Sequence, residues 1–325
     1  MSRKFLLLTA AMLVLVILIS GCGAGKDQTT DDTGDIPTIN EDTEDVLVRE
    51  TLVYYQDDAG YLVPVMRKIP WVEGIAKATL KVMMDTPEQQ EDLMAMGLRA
   101  LLPADAEILG MSIKDGIAKV DFNNAVLNCG DAVAESNMVQ GVVATLAGFS
   151  TIEKVQFLFD GKVVETMPYG TYVKEPLGPE DINLEMTGDS DIQGARVTVF
   201  FQSVSPSQYE YLIPVTRITS SPVATLETAI EELLAGPREV TNMNIDIPQE
   251  TKLLGIQMDE GVTYINFSKE FSALAKSEES EEMVFKAILM TTRQFPDVNE
   301  VKILVDGREY PGDISMEAPV FANEF

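Results

Sequence analysis

The chain has 325 residues, and 46% of them are hydrophobic, which is enough for the cores of about two domains of ordinary size. Its 52 acidic residues outweigh 24 basic ones, and a net charge of −28 excludes nucleic acid as an expected partner. The chain has no histidine and only two cysteines, Cys22 and Cys129, which excludes Ser-His-Asp and Cys-His catalysis and a zinc site made of cysteines alone.

The first 22 residues have the pattern of a secretory signal. Arg3 and Lys4 precede an apolar run over residues 5–19, and small residues lead to Cys22. The sequence Ile19-Ser20-Gly21-Cys22 resembles a bacterial lipobox. This resemblance implies cleavage before Cys22 and acylation of its sulfur, so that acyl chains such as palmitate anchor the protein at the extracytoplasmic face of the cell membrane. The alternative is a short transmembrane anchor, but the run is about five residues shorter than a spanning helix requires.

Residues 23–47 are predicted to be a flexible acidic tether, because they are rich in Gly, Thr and Asp and offer little apolar surface to bury. Within them, Asp31–Asp35 has a weak similarity to a calcium loop but lacks its spacing and its distal Glu. Acylation of Cys22 would leave Cys129 without an intramolecular partner. We therefore expect Cys129 to be a small buried hydrophobe, with an intermolecular disulfide as the alternative.

The rest of the chain contains an internal repeat. Five of the seven residues of Tyr61–Arg67 are identical in Tyr211–Arg217, which lies 150 positions further on. Further matches follow in unbroken order as far as Val155–Gly161 and Val301–Gly307. We predict a first domain over residues 48–168 (module 1), a linker over 169–194 and a second domain over 195–325 (module 2).

Each module is predicted to contain the same seven elements in the order ββαββαβ. In both, the second strand carries a proline, and an Asp-Gly or Glu-Gly pair turns a later hairpin. The predicted ranges are 52–55, 61–67, 72–84, 107–113, 117–122, 134–147 and 155–159 in module 1, and 197–201, 211–217, 222–234, 252–258, 262–267, 280–293 and 301–305 in module 2. This order predicts an α+β fold of two layers in each module, with one sheet covered by helices on one face.

Both modules resemble the GerM domain of bacterial sporulation and germination proteins, over about residues 50–165 and 195–312, and the motifs of module 2 are the closer match. They are Leu-x-Pro-Val-x-Arg, a helix closed by Gly-Pro, an Ile-Pro loop, Ile-Asn-Phe-Ser and Val-x-Ile-x-Val-Asp-Gly. Module 1 departs from them: Leu102-Pro103 replaces Ile-Pro, Val120–Asn123 replaces Ile-Asn-Phe-Ser, and Met83–Pro87 replaces the Gly-Pro end of the helix.

The resemblance implies a fold similar to the ring-building motif of secretion-system rings and a role in an envelope complex of sporulation or spore germination. It implies no catalytic residues, no cofactor and no metal. Pro64, Arg67, Pro214 and Arg217 are the structural motif residues. The partners implied are envelope or sporulation-complex proteins, and a homo-oligomer is left open.

Several features leave two interpretations open. Paired acids such as Asp57-Asp58 and Glu91-Asp92 suit solvated loops or helix starts better than general acid–base catalysis. Arg67 and Arg217 either bind an anion or form internal ion pairs. The aromatic residues near the proline-bearing strands are either docking anchors or core; they are Tyr54, Tyr55, Tyr61, Phe200 and Phe201.

The sequence thus favours a non-enzymatic lipoprotein that acts in assembly. The alternative is a lipoprotein that binds a cell-wall fragment or a small solute in the cleft between the modules, and a carboxylate-based hydrolase comes last.

Overall fold

The structure is a computed structural model that describes residues 47–185, 194–238, 241–259, 261–276, 278–310 and 321–324. The leader, Cys22 and the calcium-like run Asp31–Asp35 lie outside these described residues. Both modules belong to a single compact unit, Asp45–Phe325.

The described part of module 1 contains six strands and three α-helices. In chain order they are β1 (Val48–Asp57), β2 (Leu62–Pro70), α1 (Ile75–Lys81), α2 (Pro87–Met96), β3 (Leu98–Arg99), β4 (Ile108–Lys114), β5 (Ile117–Phe122), α3 (Ala132–Ala147) and β6 (Lys154–Phe159).

The segment after module 1 contributes β7 (Leu184–Glu185). Module 2 then repeats most of module 1. Its elements are β8 (Arg196–Val204), β9 (Glu210–Ile218), α4 (Leu226–Leu234), β10 (Leu253–Asp259), β11 (Val262–Phe267), α5 (Glu278–Thr292), β12 (Glu300–Val305) and β13 (Arg308–Glu309). The prediction of two tandem α+β copies is confirmed.

The expectation of one sheet in each module is wrong, because the described strands form two hydrogen-bonded sheets in each. In module 1 these are β2-β1-β3 and β4-β5-β6, and in module 2 they are β7-β9-β8 and β10-β11-β12-β13. On β1 and β8, side chains hydrogen-bond to backbone groups that a further strand would need for pairing. Thr145 of α3 accepts the backbone N–H of Tyr54 on β1, and Gln294 hydrogen-bonds both backbone groups of Thr198 on β8.

Two predicted helices begin later than expected. The first was predicted from residue 72 but begins at Ile75, because Gly74 at its N-cap has a left-handed φ of 76°. The helix predicted from residue 222 begins at Leu226, where Thr225 caps it by accepting the N–H of Thr228.

Module 1 also contains a helix that the sequence analysis did not predict. Thr86 caps α2, Pro87 occupies its first turn, and Gly97 ends it with φ 70°. These three residues form a complete set of helix start and stop signals. Alignment of Asp85-Thr86-Pro87 with the Gly-Pro helix end of module 2 conceals this helix in the sequence.

A continuous apolar core extends through both modules. It includes Phe122 and Phe157 from the second sheet of module 1, and Phe267 and Phe271 from module 2, all fully buried or nearly so. Since a shared core ties the two copies together, the modules are joined by packing as well as by the chain between them.

Candidate functional site: the interface between the modules

The proline-bearing strands β2 and β9 face each other across the interface between the modules. Each is an edge strand on that side, with β1 or β8 on its other side. An edge strand presents unpaired backbone groups that must be satisfied by something else. Here they are met by two short segments, which we call the module 1 tail (residues 181–185) and the module 2 tail (residues 321–324).

The module 2 tail binds to both proline-bearing strands through Asn323, which is 3% exposed. Its side-chain oxygen accepts the N–H of Leu212 at 2.7 Å, and its amide nitrogen donates to the carbonyls of Pro64 at 2.8 Å and Leu212 at 2.9 Å. Its own carbonyl accepts the N–H of Met66 at 2.8 Å. The last segment of module 2 is therefore attached to module 1.

The module 1 tail makes the equivalent set of bonds through Asn183. Its side-chain oxygen accepts the N–H of Leu62 at 2.8 Å, and its amide nitrogen donates to the carbonyls of Leu62 and Pro214 at 2.8 and 2.7 Å. The next two residues form β7, which pairs in parallel with β9, with Leu184 opposite Thr216.

The two interface asparagines, Asn183 and Asn323, make matching contacts. Each tail therefore contacts both modules, and the two sets of contacts are related by an approximate two-fold symmetry. Asn183 bridges Leu62 and Pro214, whereas Asn323 bridges Pro64 and Leu212. The order of contacts along the two strands is reversed, so β2 and β9 run antiparallel across the interface.

This geometry explains why proline is tolerated at both motif positions. In a strand, the N–H and C=O of one residue point to the same side. The carbonyls of Pro64 and Pro214 point to the interface asparagines. The N–H that proline lacks would also point there, and the bonds to β1 and β8 are therefore unaffected.

The two motif arginines have different partners. Arg217 is fully buried and pairs with Glu185 of the module 1 tail at 2.7 Å. It also donates to the carbonyls of Glu232 and Gly236 at the end of α4, both at 2.7 Å. Arg217 therefore connects the module 1 tail to the helix of module 2.

Arg67 occupies the same position in module 1 but bonds to the inserted helix. It donates to Gln89 at 3.2 Å and to Asp92 at 3.0 Å, both on α2. The second acid of the pair Glu91-Asp92 is thus part of a structural ion pair.

Asp57 lies in the interface, although the sequence suggested a solvated loop. It is 1% exposed; its carboxyl accepts the N–H groups of Ala59 and Tyr61 and the hydroxyl of Tyr211 in module 2. Burial raises the pKa of Asp57 above the usual carboxyl value, and these hydrogen bonds oppose the shift. Burial also raises the pKa of Tyr211 to about 12.

The end of α2 forms a further contact between the modules. A Cβ at Gly97 would lie 2.4 Å from the Cβ of Ser205 in the β8–β9 turn, which is too close for any side chain. Ser207 of the same turn donates to the carbonyl of Ala95 at 2.7 Å. The inserted helix thus packs against module 2.

The aromatic residues of the proline-bearing sheets divide into two groups. Tyr55 and Phe201 are fully buried core residues. Tyr54 and Phe200 line a cavity of about 420 Å³, together with both motif prolines. A second cavity of about 540 Å³ lies beside the module 1 tail and includes Asp181 and Glu185 in its walls.

Two of the longer strands in the described part of the chain also have an open edge. β4 and β10 each pair on one side only, with β5 and β11. Both carry exposed apolar residues at matching positions; these are Leu109 and Ile113 on β4, and Leu254 and Met258 on β10. Each strand also has an irregularity at the same glycine, Gly110 or Gly255.

The described residues offer little reactive chemistry. They contain no group of three or more acidic or cysteine side chains placed to hold a metal ion. Burial and the charges of Glu135 and Asp131 raise the pKa of Cys129 to about 11, which keeps its thiol protonated. None of the described helices has the length and apolar character needed to cross a bilayer.

Sequence reasoning missed the interface asparagines. They lie at different distances beyond the last aligned turns, Asp160-Gly161 and Asp306-Gly307, so the repeat alignment did not reach them. The available signal was a single asparagine in each tail, which is too little to identify without the fold.

Comparisons with known proteins agree with this architecture. The model of the family described as "Sporulation and spore germination" matches residues 52–165 and 198–311. The Spore germination protein GerM of Bacillus subtilis (strain 168) is 31% identical over 262 residues, which cover 79% of this chain and 71% of that protein.

A solved structure shares the same arrangement. The structure of the tandem GerMN domains of the sporulation protein GerM from Bacillus subtilis matches with a TM-score of 0.68 at 30% identity, covering 81% of this chain and 92% of that one. Since the family model matches both modules and so most of the chain, the protein belongs to the sporulation and spore germination family, as a member with two GerM domains.

Proposed function

We propose that the protein is a lipoprotein held by acylated Cys22 at the extracytoplasmic face of the cell membrane. There it assembles or stabilises an envelope complex of sporulation or spore germination, and it catalyses no reaction. Family membership supports the process, and the lipobox-like sequence before Cys22 supports the anchor.

The proposal rests on one observation: some sheet edges are covered and others are open. The edges of β2 and β9 are covered by the two tails, whereas those of β4 and β10 are open and carry exposed apolar residues. An open edge binds an extended segment of another polypeptide by adding it as a strand. The occupant proposed is therefore an extended, partly apolar segment of an envelope protein.

Proline substitution tests this docking mode. The two residues that flank a two-residue turn hydrogen-bond to each other through their backbones. Hydrogen-bonded and non-hydrogen-bonded pairs then alternate along the two strands, so the backbone N–H of Ile113, in the next pair, points away from β5. Ile113→Pro and, at the matching position, Met258→Pro should leave the fold intact and block strand addition. We expect cells with both substitutions to lose spore formation or germination at normal levels of membrane-bound protein.

Val133→Pro is the matched control. Val133 is exposed in the first turn of α3, where proline is tolerated, and this variant should behave like the unaltered protein. Normal spores from the Ile113→Pro/Met258→Pro strain would refute docking by strand addition at β4 and β10.

The cavities favour a second candidate, a binding protein for a small solute. Volumes of about 420 and 540 Å³ fall within the range of ligand sites. Asp181 and Glu185 in the larger cavity are paired with arginines, Asp181 with Arg196 and Glu185 with Arg217, so their charges are compensated and a neutral solute is the better candidate. A rise in melting temperature with neutral cell-wall fragments would support this function, and an unchanged temperature would count against it.

A further inference from the structure

An exposed apolar patch lies where the described chain begins. Four residues form it: Leu47 is 76% exposed, Val48 48%, Trp71 61% and Val72 47%. The backbone N–H of Trp71 donates to the carbonyl of Leu47 at 2.7 Å, so the β2–α1 loop lies against the start of β1. We call these four residues the tryptophan patch.

The chemistry of the patch suits the interface between a bilayer and water. Trp71 is the only tryptophan of the chain. Tryptophan has an apolar body and a polar N–H, and it is enriched at the level of the lipid headgroups. The nearby exposed charges are of both signs, Lys68 against Glu50 and Glu73. With a net charge of −28, the chain has no general attraction to anionic headgroups, so contact with lipid must come from apolar insertion.

The position of the patch brings it close to the proposed anchor, on which this inference rests. Only 24 residues separate Cys22 from Leu47. Their composition predicts a coil, whose root-mean-square reach is about 25–30 Å. The patch is attached directly to the end of this segment, and the bilayer therefore lies within its reach.

The matching loop of module 2 is at the opposite end of the body. β2 and β9 run antiparallel across the interface asparagines, and each extends six residues beyond its contact point, from Pro64 to Pro70 and from Leu212 to Ile218. At about 3.3 Å per residue, the two strand ends are about 40 Å apart. Val223, which is 62% exposed in the module 2 loop, therefore lies beyond the reach of the patch.

We propose that the tryptophan patch inserts into the headgroup region of the membrane to which the protein is anchored. The insertion fixes the orientation of the body, with module 1 on the bilayer and module 2 held away from it.

The single tryptophan provides a direct test. The acylated protein is reconstituted into phosphatidylcholine vesicles with or without bromine in the acyl chains, and flotation of the protein with the vesicles is checked first. Bromine quenches tryptophan only at short range. We expect the fluorescence of Trp71 in brominated vesicles to fall to about half or less of that in plain vesicles. In plain vesicles its emission maximum should lie at a shorter wavelength than that of the protein in detergent-free buffer.

The matched control moves the probe to the other loop, as Trp71→Phe/Val223→Trp. Its emission should be the same in both kinds of vesicle. Protein that floats but is not quenched through Trp71 would overturn insertion while leaving the anchor intact, and would point to a protein partner for the patch. Equal quenching of both variants would overturn the orientation. Failure to float would instead refute the anchor, and with it the proximity argument for the patch.

Discussion

Replacing Asn323 by alanine removes the hydrogen bonds that attach the module 2 tail to both modules. Three buried backbone groups lose their partners: the N–H and carbonyl of Leu212 and the carbonyl of Pro64. An unsatisfied buried group costs about 1–3 kcal/mol. We therefore expect Asn323→Ala to lower the free energy of unfolding by at least about 3 kcal/mol, which corresponds to about 6–12 °C in melting temperature for a body of this size.

The assay is urea or thermal unfolding of the purified protein, followed by circular dichroism. Asn323→Asp keeps the shape and the acceptor for Leu212 but turns a negative charge towards two carbonyls, so it should be at least as unstable as the alanine variant. Asn128→Ala, at an exposed asparagine, should change little. A loss below about 1 kcal/mol for Asn323→Ala would refute the claim that this side chain joins the modules.

Three further substitutions test the interface by the same unfolding assay. Gly97→Ala forces a side chain into a left-handed φ and against Ser205, so it should destabilise by more than about 1 kcal/mol, and Ser205→Gly should relieve only part of the loss. Arg217→Met leaves Glu185 with only Arg238 and should cost about 3–5 kcal/mol; a cost below about 1 kcal/mol would mean that the ion pair with Arg217 is not structural. Asp57 binds a proton more readily in the folded than in the unfolded state, so its contribution to stability falls as pH rises from the ordinary carboxyl pKa through its raised pKa. The stability of Asp57→Asn should therefore fall less over this range than that of the unaltered protein, and identical slopes would contradict the raised pKa.

The sequence was sufficient to predict the features that depend on local patterns. The strands and long helices follow hydrophobic periodicity, and the duplicated motif around Pro64 and Pro214 revealed two copies of one module. The hairpin between β4 and β5 follows from Asp115-Gly116, whose φ values of 51° and 76° suit a two-residue turn. These features can be predicted without knowledge of the fold, because residues that are close in the chain determine them.

The interface could not be predicted in the same way. The bond between Asn323 and Pro64 joins residues 259 positions apart, and no periodic pattern encodes it. Arg67 and Arg217 have the same place in the repeat but different partners, because α2 is present in module 1 and the module 1 tail covers module 2. Asp57 shows the same limit, since its bond to Tyr211 joins residues 154 positions apart.

Cross-linking from the open edges in living cells tests the proposed function most directly. A photoreactive amino acid is placed at Ile113 or at Met258 in the anchored protein, and at exposed Val133 as a control. During sporulation, the two edge positions should give discrete adducts with an envelope protein. Absence of adducts at both edges, or the same adducts from Val133, would contradict the assignment of β4 and β10 as the docking strands.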